Sequence, residues 1–250
     1  MSTTIYPVNG FDPAHLKGAT VVIPALSLGN VPQLAADLLV TSLSLRRVAF
    51  VGLGDTVAPF AGRGEDGIAT GGLELHGTPT GDLFVLLQRA PTLKARKDEH
   101  VFLISTLVAD AGVSLVLASL DAAHQDDAQL LTPHQCILPP HHLPQPVLDR
   151  LAALPPLRIT LDQPVSGYPP FLPGAGLTRR ILAALADKPS GAIAAWVVEG
   201  DNRGDAHALA RAVLRLLDIE AELREPASWA GLFGPEEWSG GTGLNAEIYG

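Results

Sequence analysis

Residues 18–47 constrain the fold most, because they read as a strand, a tight turn and a helix in succession. Residues 19–23 are apolar and partly β-branched, which is typical of a buried strand, and Pro24 cannot donate to a sheet ladder. Asn30 and Gln33 have the spacing of a capping box, so we expect the helix to begin at this point. Helical spacing then gives the segment a broad apolar face, which consists of Leu34, Leu38, Ser42 and Leu45 with Val31, Ala35 and Leu39 beside them.

The rest of the chain alternates predicted strands with predicted helices. Further strands are expected over residues 47–53, 71–76, 82–88, 113–119 and 191–198. Further helices are expected over residues 94–109, 144–154, 176–186 and 205–217. Several of the strands are apolar throughout, which indicates a sheet covered on both faces and therefore a layered α/β domain.

Some segments interrupt this alternation. Residues 1–17 are interpreted as a polar lead-in, and the glycine-rich residues 54–72 are interpreted as a loop. Short proline-rich stretches occur at residues 133–146, 155–156 and 164–173. Because a helix or strand resumes soon after each of them, we expect one domain with insertions rather than two domains.

The composition limits the classes of partner. The 250 residues carry a formal net charge of −9, and the isoelectric point is about 5.3, which argues against nucleic acid and anionic membranes. Only 17% of the residues are charged, which fits either a surface partly covered by another protein or a large core rich in alanine and leucine. The sequence has no signal-peptide pattern and no membrane-spanning apolar run, and Cys136 is the only cysteine. A reducing compartment is therefore expected, namely the cytoplasm and also the nucleus.

Two carboxylates offer the main enzymatic alternative. Glu199 and Asp201 follow the predicted strand 191–198, and ligands of open α/β sheets bind beyond the carboxyl ends of the strands. The two carboxylates could therefore serve as acid and base in an enzyme of phosphorylase or hydrolase type. The competing interpretation is that Asn202 or Asp205 caps the next helix, whose positive end favours acidic residues.

Three other clusters have simpler structural interpretations. They are residues 173–180 with Arg179 and Arg180; His134, Cys136, His141 and His142; and Asp121, His124, Asp126 and Asp127. The first could hold a phosphate on its backbone amides, but a tight turn into a helix explains it as well. The second fits no standard zinc spacing, and the third has no identifiable nucleophile, which favours a polar loop. We therefore predict no catalytic, cofactor-binding or metal-binding residue.

Three segments carry a resemblance to a known family. They are Ser27-x-Gly29-Asn30-Val31-x-Gln33-Leu34-Ala35-x-Asp37-Leu38, Glu199-Gly200-Asp201-Asn202 before an amphipathic helix, and Pro226-x-Ser228-Trp229-x-x-Leu232-Phe233-Gly234. Together with the Pro-Gly-x-Gly-x-Thr stretch that begins at Pro173, they resemble the proteasome assembly chaperone 2 family. The resemblance extends over residues 18–234.

This resemblance implies a fold, a function and partners. The implied fold is a three-layer α/β/α sandwich with a mostly parallel sheet, distantly like the nucleoside phosphorylases. Members of the family have no known catalytic activity. They pair with a sister chaperone, proteasome assembly chaperone 1, in a heterodimer that scaffolds the α-ring of the 20S proteasome. A homomeric ring chaperone of archaeal type, from the same superfamily, is a further alternative.

The segment after Pro226 is irregular in sequence. Trp229 and Phe233 are expected to pack it back on the core. Residues 239–243 have the composition of a flexible linker. We therefore predict a single domain over residues 1–234, followed by a flexible tail over residues 235–250.

The last three residues of the sequence form a second signal. Ile248, Tyr249 and Gly250 match the hydrophobic–Tyr–any-residue motif with which, by the resemblance, such chaperones enter pockets between adjacent α subunits. A free carboxylate can pair with a lysine of the pocket. The tyrosine supplies rigid contact area and a hydrogen bond, and the hydrophobic side chain fills a cleft. These three residues are the predicted partner-binding site.

Overall fold

The computed structural model describes residues 4–64, 67–77, 81–140, 143–159 and 167–230. In these ranges, eight strands make one large sheet, and two more make a small hairpin. The strands are β1 (Ile5–Pro7), β2 (Thr20–Pro24), β3 (Arg46–Val51), β4 (Ala61–Arg63), β5 (Ala69–Gly71), β6 (Leu73–Gly77), β7 (Leu83–Gln88), β8 (Val113–Asp121), β9 (His134–Ile137) and β10 (Ser190–Val197). The helices are α1 (Val31–Ser42), α2 (Lys97–Leu107), α3 (Gln145–Ala152), α4 (Gly176–Ala184) and α5 (Arg203–Leu217).

The strand order in the large sheet is β1-β3-β6-β7-β2-β8-β10-β9. The four neighbours β7, β2, β8 and β10 pair in parallel. The pairings that add β6, β3, β1 and β9 are antiparallel. Of the eight described strands in this sheet, β2, β3, β7, β8 and β10 therefore run in one direction, which agrees with the mostly parallel sheet that was predicted. The distant likeness to nucleoside phosphorylases stays a prediction.

Alternate residues of the central strands enter two separate cores. On β7, Phe84 and Leu86 pack in the core that contains α2 and α4, whereas Val85 and Leu87 pack in the core that contains α1, α3 and α5. This alternation follows from the two-residue period of a strand, and it explains why the predicted strands are apolar throughout. Helices cover both faces of the sheet, so the three-layer arrangement is confirmed. None of the helices in the described ranges is long and apolar enough to cross a membrane.

Three short elements occur where none was predicted. β1 lies in the predicted polar lead-in, the β4–β5 hairpin lies in the predicted loop 54–72, and β9 lies in a proline-rich stretch. β9 contains the polar residues His134 and Gln135, yet all four of its residues are buried. Strands of three or four residues have too short a hydrophobic pattern to be recognised locally, because pairing with a strand distant in sequence stabilises them.

The predicted capping box at the start of α1 is wrong. Asn30 has a left-handed backbone with a φ of 52°, and its side chain makes no capping hydrogen bond within the described structure. Gln33 instead donates from Nε2 to the Pro24 carbonyl at 3.3 Å. The chain reverses direction within a few residues after β2, and this tight turn uses consecutive left-handed residues at Gly29 and Asn30.

One buried carboxylate ties the β4–β5 hairpin to the large sheet. Glu74, on β6, is 2% exposed, and its Oε1 accepts hydrogen bonds from Arg47 Nη1 at 2.8 Å, Thr70 Oγ1 at 2.9 Å and the Gly71 amide at 2.8 Å. Oε2 lies 3.1 Å from His76 Nε2. Burial by itself would raise the pKa of Glu74, but the hydrogen bonds from His76, Gly71, Arg47 and Thr70 outweigh it and lower the pKa to about 2.

Glu74 should therefore make the fold sensitive to acid. Because its pKa is lower in the folded chain than the ordinary value of 4.5, its stabilisation is present above that value and is lost as the pH falls toward 2. Between about pH 6 and about pH 3, wild type should lose about 1–2 kcal/mol more unfolding free energy than Glu74→Gln, after allowance for solvent screening. Urea unfolding at both pH values measures this difference. Equal losses in the two proteins would contradict the role given to Glu74.

Candidate functional site

Two of the motifs that carry the resemblance meet at the carboxyl edge of the parallel strands. Gly29 lies in the turn after β2, and Asn202 follows β10. Asn202 is buried, and its side-chain amide donates to the carbonyls of Gly29 at 3.4 Å and Gly200 at 3.2 Å. A Cβ atom on Gly29 would lie 2.3 Å from Asn202 Nδ2, and the φ of Gly29 is 65°. Glycine is therefore required there by both the backbone and the close approach.

Two serines join the strand between these motifs to the same turn. Ser119, on β8, donates from its backbone amide to Ser27 Oγ at 2.9 Å and from its hydroxyl to the Leu28 carbonyl at 2.5 Å. The Ser27 hydroxyl donates to the Ala25 carbonyl at 3.0 Å. Since β8 lies between β2 and β10 in the sheet, side-chain hydrogen bonds link the carboxyl ends of all three strands.

Asp201 is engaged by the start of α5. Arg203 places Nε 3.0 Å from Asp201 Oδ1 and Nη2 2.7 Å from Oδ2, and its backbone amide donates to Oδ1 at 3.2 Å. The hydrogen bonds from the Arg203 side chain lower the pKa of Asp201 despite partial desolvation, so this carboxylate stays ionised. The predicted cap by Asn202 is wrong, because the Asn202 side chain turns back to Gly29. Asp205 lies inside the first turn of α5.

The run 173–180 forms the turn into α4, as its structural interpretation predicted. α4 begins at Gly176, and Gly174 before it has a left-handed φ of 70°. Arg180 pairs with Asp98 of α2 at 2.5 Å. The turn and this ion pair account for the pattern without a bound phosphate.

The histidine and cysteine cluster does not form a metal site in the described part of the chain. His134 and Cys136 are buried on β9, and the Cys136 thiol donates to the Leu154 carbonyl at 3.2 Å. No group of three or more His, Cys, Asp or Glu side chains among the described residues is placed to hold a metal ion. His141 and His142 lie outside the described residues.

The fold brings together two acidic loops that are far apart in sequence. Asp121 ends β8 directly beside Val197 of β10, so the loops after these strands are neighbours. Five carboxylates lie at the end of β8 or in the segments that follow β8 and β10, namely Asp121, Asp126, Asp127, Glu199 and Asp201. The carboxyl edge of the sheet is therefore acidic around the Gly29–Asn202 contact.

The chain that leads to the carboxyl-terminal segment is fixed on α1 by Trp229. Trp229 is 6% exposed and packs in the core of α1 and α5, which confirms the expectation for this residue. Its indole N–H donates to Asp37 of α1, whose carboxylate also pairs with Arg89 at 2.7 Å. Burial raises the pKa of Asp37, and the charge of Arg89 opposes this shift. Phe233 lies outside the described residues.

The segment before Trp229 is held by polar contacts as well. The Arg224 amide donates to Ser42 Oγ at 2.9 Å, and its guanidinium donates to the Thr41 carbonyl at 3.1 Å. Glu225 lies 2.9 Å from His207 of α5. Residues 224–229 are therefore attached to two helices of the same layer, α1 and α5. The predicted docking residues Ile248, Tyr249 and Gly250 lie outside the described residues.

Several known proteins are similar to this chain in sequence or in fold. No protein-family model matches the chain. The proteasome assembly chaperone 2 of Xenopus tropicalis is 30% identical over 259 aligned positions, which cover 92% of this chain and 94% of that protein. The human protein of the same name is 26% identical and covers 88% of this chain and 93% of its own length.

The chain belongs to the proteasome assembly chaperone 2 family. Its fold is also similar to a crystal structure of Pyrococcus furiosus PbaA, described as an archaeal homolog of proteasome-assembly chaperone, with a TM-score of 0.66 and 14% identity. That alignment covers 98% of this chain and 94% of the archaeal chain. At this identity the likeness concerns the fold alone.

In this family member, the structure brings together motif residues that the sequence analysis did not connect. The sequence placed Gly29 and Asn202 in separate turns and gave no sign that they touch. Asp37 was in the matched opening stretch, but its partners Arg89 and Trp229 are 52 and 192 positions further along the chain. The apolar spacing of α1 was the only sequence signal that Asp37 would need a partner. Asp37 lies beside the apolar face of this helix, and a carboxylate that becomes buried with such a face must be paired.

Substitution of Gly29 should test the contact between the two motifs. Gly10→Ala is a matched control, because Gly10 also has a left-handed φ, 74°, but a Cβ added to it would have no other atom within 4 Å. The control should cost about 1–2 kcal/mol of unfolding free energy from backbone strain, and Gly29→Ala should cost about 1–3 kcal/mol more from the clash.

The double variant Gly29→Ala/Asn202→Ala separates the clash from the strain. Removing the Asn202 amide makes room for the new methyl group. The double variant should therefore lose less unfolding free energy than the two single variants lose together. Chemical denaturation of wild type, the two single variants and the double variant measures this coupling. Strict additivity would show that the methyl group added at position 29 does not meet the Asn202 amide.

Proposed function

We propose that this protein is a chaperone for assembly of the 20S proteasome, acting in the cytoplasm and also in the nucleus. It forms a heterodimer with a sister subunit, proteasome assembly chaperone 1, and scaffolds the α-ring. The dimer blocks premature association of the ring with activators or with a wrong ring. Family membership over nearly the whole chain is the observation that carries this proposal.

The tail of the protein supplies the proposed contact with the ring. Ile248, Tyr249 and Gly250 enter a pocket between adjacent α subunits, where the carboxylate pairs with a lysine and Tyr249 gives rigid contact area. The Trp229 anchor supports this proposal, because it holds the start of the tail at one place on the body. The twenty residues 231–250 reach at most about 65–70 Å when extended, which permits docking at a distance from the body.

Two tails, one from each chaperone, would increase the affinity through effective concentration rather than through additional contacts of the body. Weaker tail contacts with a mature ring would then allow release. This part of the proposal requires that the purified heterodimer bind immature rings more tightly than finished proteasomes.

An enzyme of phosphorylase or hydrolase type remains the alternative function. The described geometry favours it less, because Asp201 is occupied by Arg203 and Asn202 holds the Gly29 turn. The family relatives are named as assembly chaperones, which also favours the scaffold.

Deletion of Ile248–Gly250 should separate docking from folding. We expect at least about tenfold weaker binding to isolated α-rings, since an aromatic anchor and its neighbours dominate such contacts. The melting temperature should not change, because a free tail contributes little to the folded state. Binding is measured by interferometry with immobilised rings, and melting by calorimetry.

Two controls bracket this result. Asn245→Ala changes the same tail away from the motif and should bind as wild type does. One extra alanine after Gly250 displaces the carboxylate and should weaken binding nearly as much as the deletion. A drop in melting temperature on deletion, or full binding with the extra alanine, would contradict docking by the free tail.

A further inference from the structure

An apolar cleft lies between β3 and the β4–β5 hairpin, in the outer part of the large sheet. It has a volume of about 380 Å³, and it is lined by the aromatic residues Tyr6, Phe50 and Phe60, by Leu53 and by the glycines at positions 71–72. Phe60 and Leu53 are 41% and 70% exposed. Exposed apolar side chains around a concave surface mark a place where another group binds. We name this feature the hairpin cleft.

The hairpin cleft lies on the face of the sheet that α1 covers. Phe50 pairs with Tyr6 of β1 and with Glu74 of β6. Glu74 pairs in turn with Leu87 of β7, which packs in the core that contains α1. Paired residues on neighbouring strands point to the same face. Since α1 packs on β2, β7 and β8, and β6, β3 and β1 continue the sheet beyond β7, the cleft lies beside this helix.

The last described part of the chain runs toward this cleft. It starts beside α5, where Glu225 lies 2.9 Å from a histidine of that helix, and it crosses α1. The Arg224 amide donates to Ser42 at the end of α1, whereas Trp229 reaches Asp37, more than one turn nearer the beginning of α1. Because α1 begins just after β2 ends, this direction leads to the carboxyl edge of the sheet. The cleft lies at the same edge, at the end of β3.

Three successive contacts join Trp229 to the wall of the cleft. Its indole N–H donates to the Asp37 carboxylate, which pairs with Arg89 Nη1 at 2.7 Å. The Arg89 backbone amide donates to the carbonyl of Gly72, a lining residue, at 2.9 Å. Arg89 follows β7, and β3 lies two strand spacings away, about 10 Å. The four residues after Trp229 span about 13–14 Å when extended, so Phe233 can reach the cleft.

We infer that Leu232 and Phe233 of the same chain occupy the hairpin cleft. They are the first pair of large apolar residues after Trp229, and the glycines on either side of the pair allow a close approach of the backbone. The ring of Phe233 suits the aromatic lining. The attachment at Trp229 gives this segment a high effective concentration at the cleft, which favours it over the same segment of a second copy.

The inference does not rest on the proposed function, but it has a consequence for it. With Leu232 and Phe233 held in the cleft, the free tail starts after Gly234. Residues 235–250 then span about 53–58 Å when extended, and they start at the carboxyl edge of the sheet.

Cysteine pairs in the full-length chain test the place of the segment. In a mild glutathione redox buffer, Leu53→Cys/Phe233→Cys should form a disulfide within one chain at least tenfold faster than Phe102→Cys/Phe233→Cys. Phe102 is a matched control, because it is 71% exposed but lies on α2, which packs on the opposite face of the sheet. The native Cys136 is buried and should not compete. Mass spectrometry of digests measures the rates.

Melting temperatures test the contact itself. Phe233→Ala should melt about 3–8 °C below wild type, because the cleft loses an aromatic side chain. Trp238→Ala is the control, since it removes another aromatic residue of the same terminal segment, and it should melt as wild type does. Phe60→Ala/Phe233→Ala should lose less than the two single variants lose together, because both rings belong to one contact. Calorimetry of these proteins measures each shift.

The outcomes either support the inference or overturn it. A fast disulfide within one chain for the Leu53 pair, with non-additive melting losses, supports it. A disulfide between two chains would show that the occupant belongs to a second copy, and equal rates for the two cysteine pairs would show that Phe233 has no preferred place at the cleft. A melting loss for Trp238→Ala without one for Phe233→Ala would assign the cleft to Trp238. Each of these last three results overturns the inference and leaves the docking of Ile248–Gly250 to be judged by its own test.

Discussion

The close approach of Asn202 to Gly29 holds together the carboxyl ends of the central strands. Asn202 follows β10, Gly29 follows β2, and Ser119 on the intervening β8 bonds to Ser27 of the same turn. Three strands that are distant in sequence are thereby fixed at one edge. A buried amide is costly unless its hydrogen bonds are made, so this arrangement is specified as a unit: the glycine, the asparagine and the serines depend on one another.

This packing changes what the acidic residues at that edge can do. Asn202 faces inward, and Asp201, one of the two carboxylates considered for acid–base chemistry, is held in an ion pair with Arg203. The same edge carries the exposed carboxylates of Asp121, Asp127 and Glu199 and the exposed side chain of Val198. A surface of this kind suits recognition of another protein better than the enclosure of a small substrate, in keeping with a family of relatives named as assembly chaperones.

The carboxyl-terminal segment is attached to the body at a defined place. Residues 224–229 are attached to α1 and α5 through Arg224, Glu225 and Trp229, so the body fixes where this segment starts. A docking tail needs such a fixed origin, because its effective concentration at a target depends on the distance between origin and target. In the proposed function, the folded body therefore fixes the point from which residues 230–250 would reach the α-ring.

The sequence by itself determined the layered α/β class, the helices and the long strands, because periodicity along a continuous segment reports which faces are buried. It also indicated the family, through motifs whose residues are contiguous. Only the tertiary structure decided the short strands β1 and β9, the β4–β5 hairpin, the Asn202–Gly29 contact and the Asp37–Trp229 anchor. Each of these depends on a partner many positions away, so its stabilisation comes from the assembled sheet and leaves no local pattern for a sequence to show.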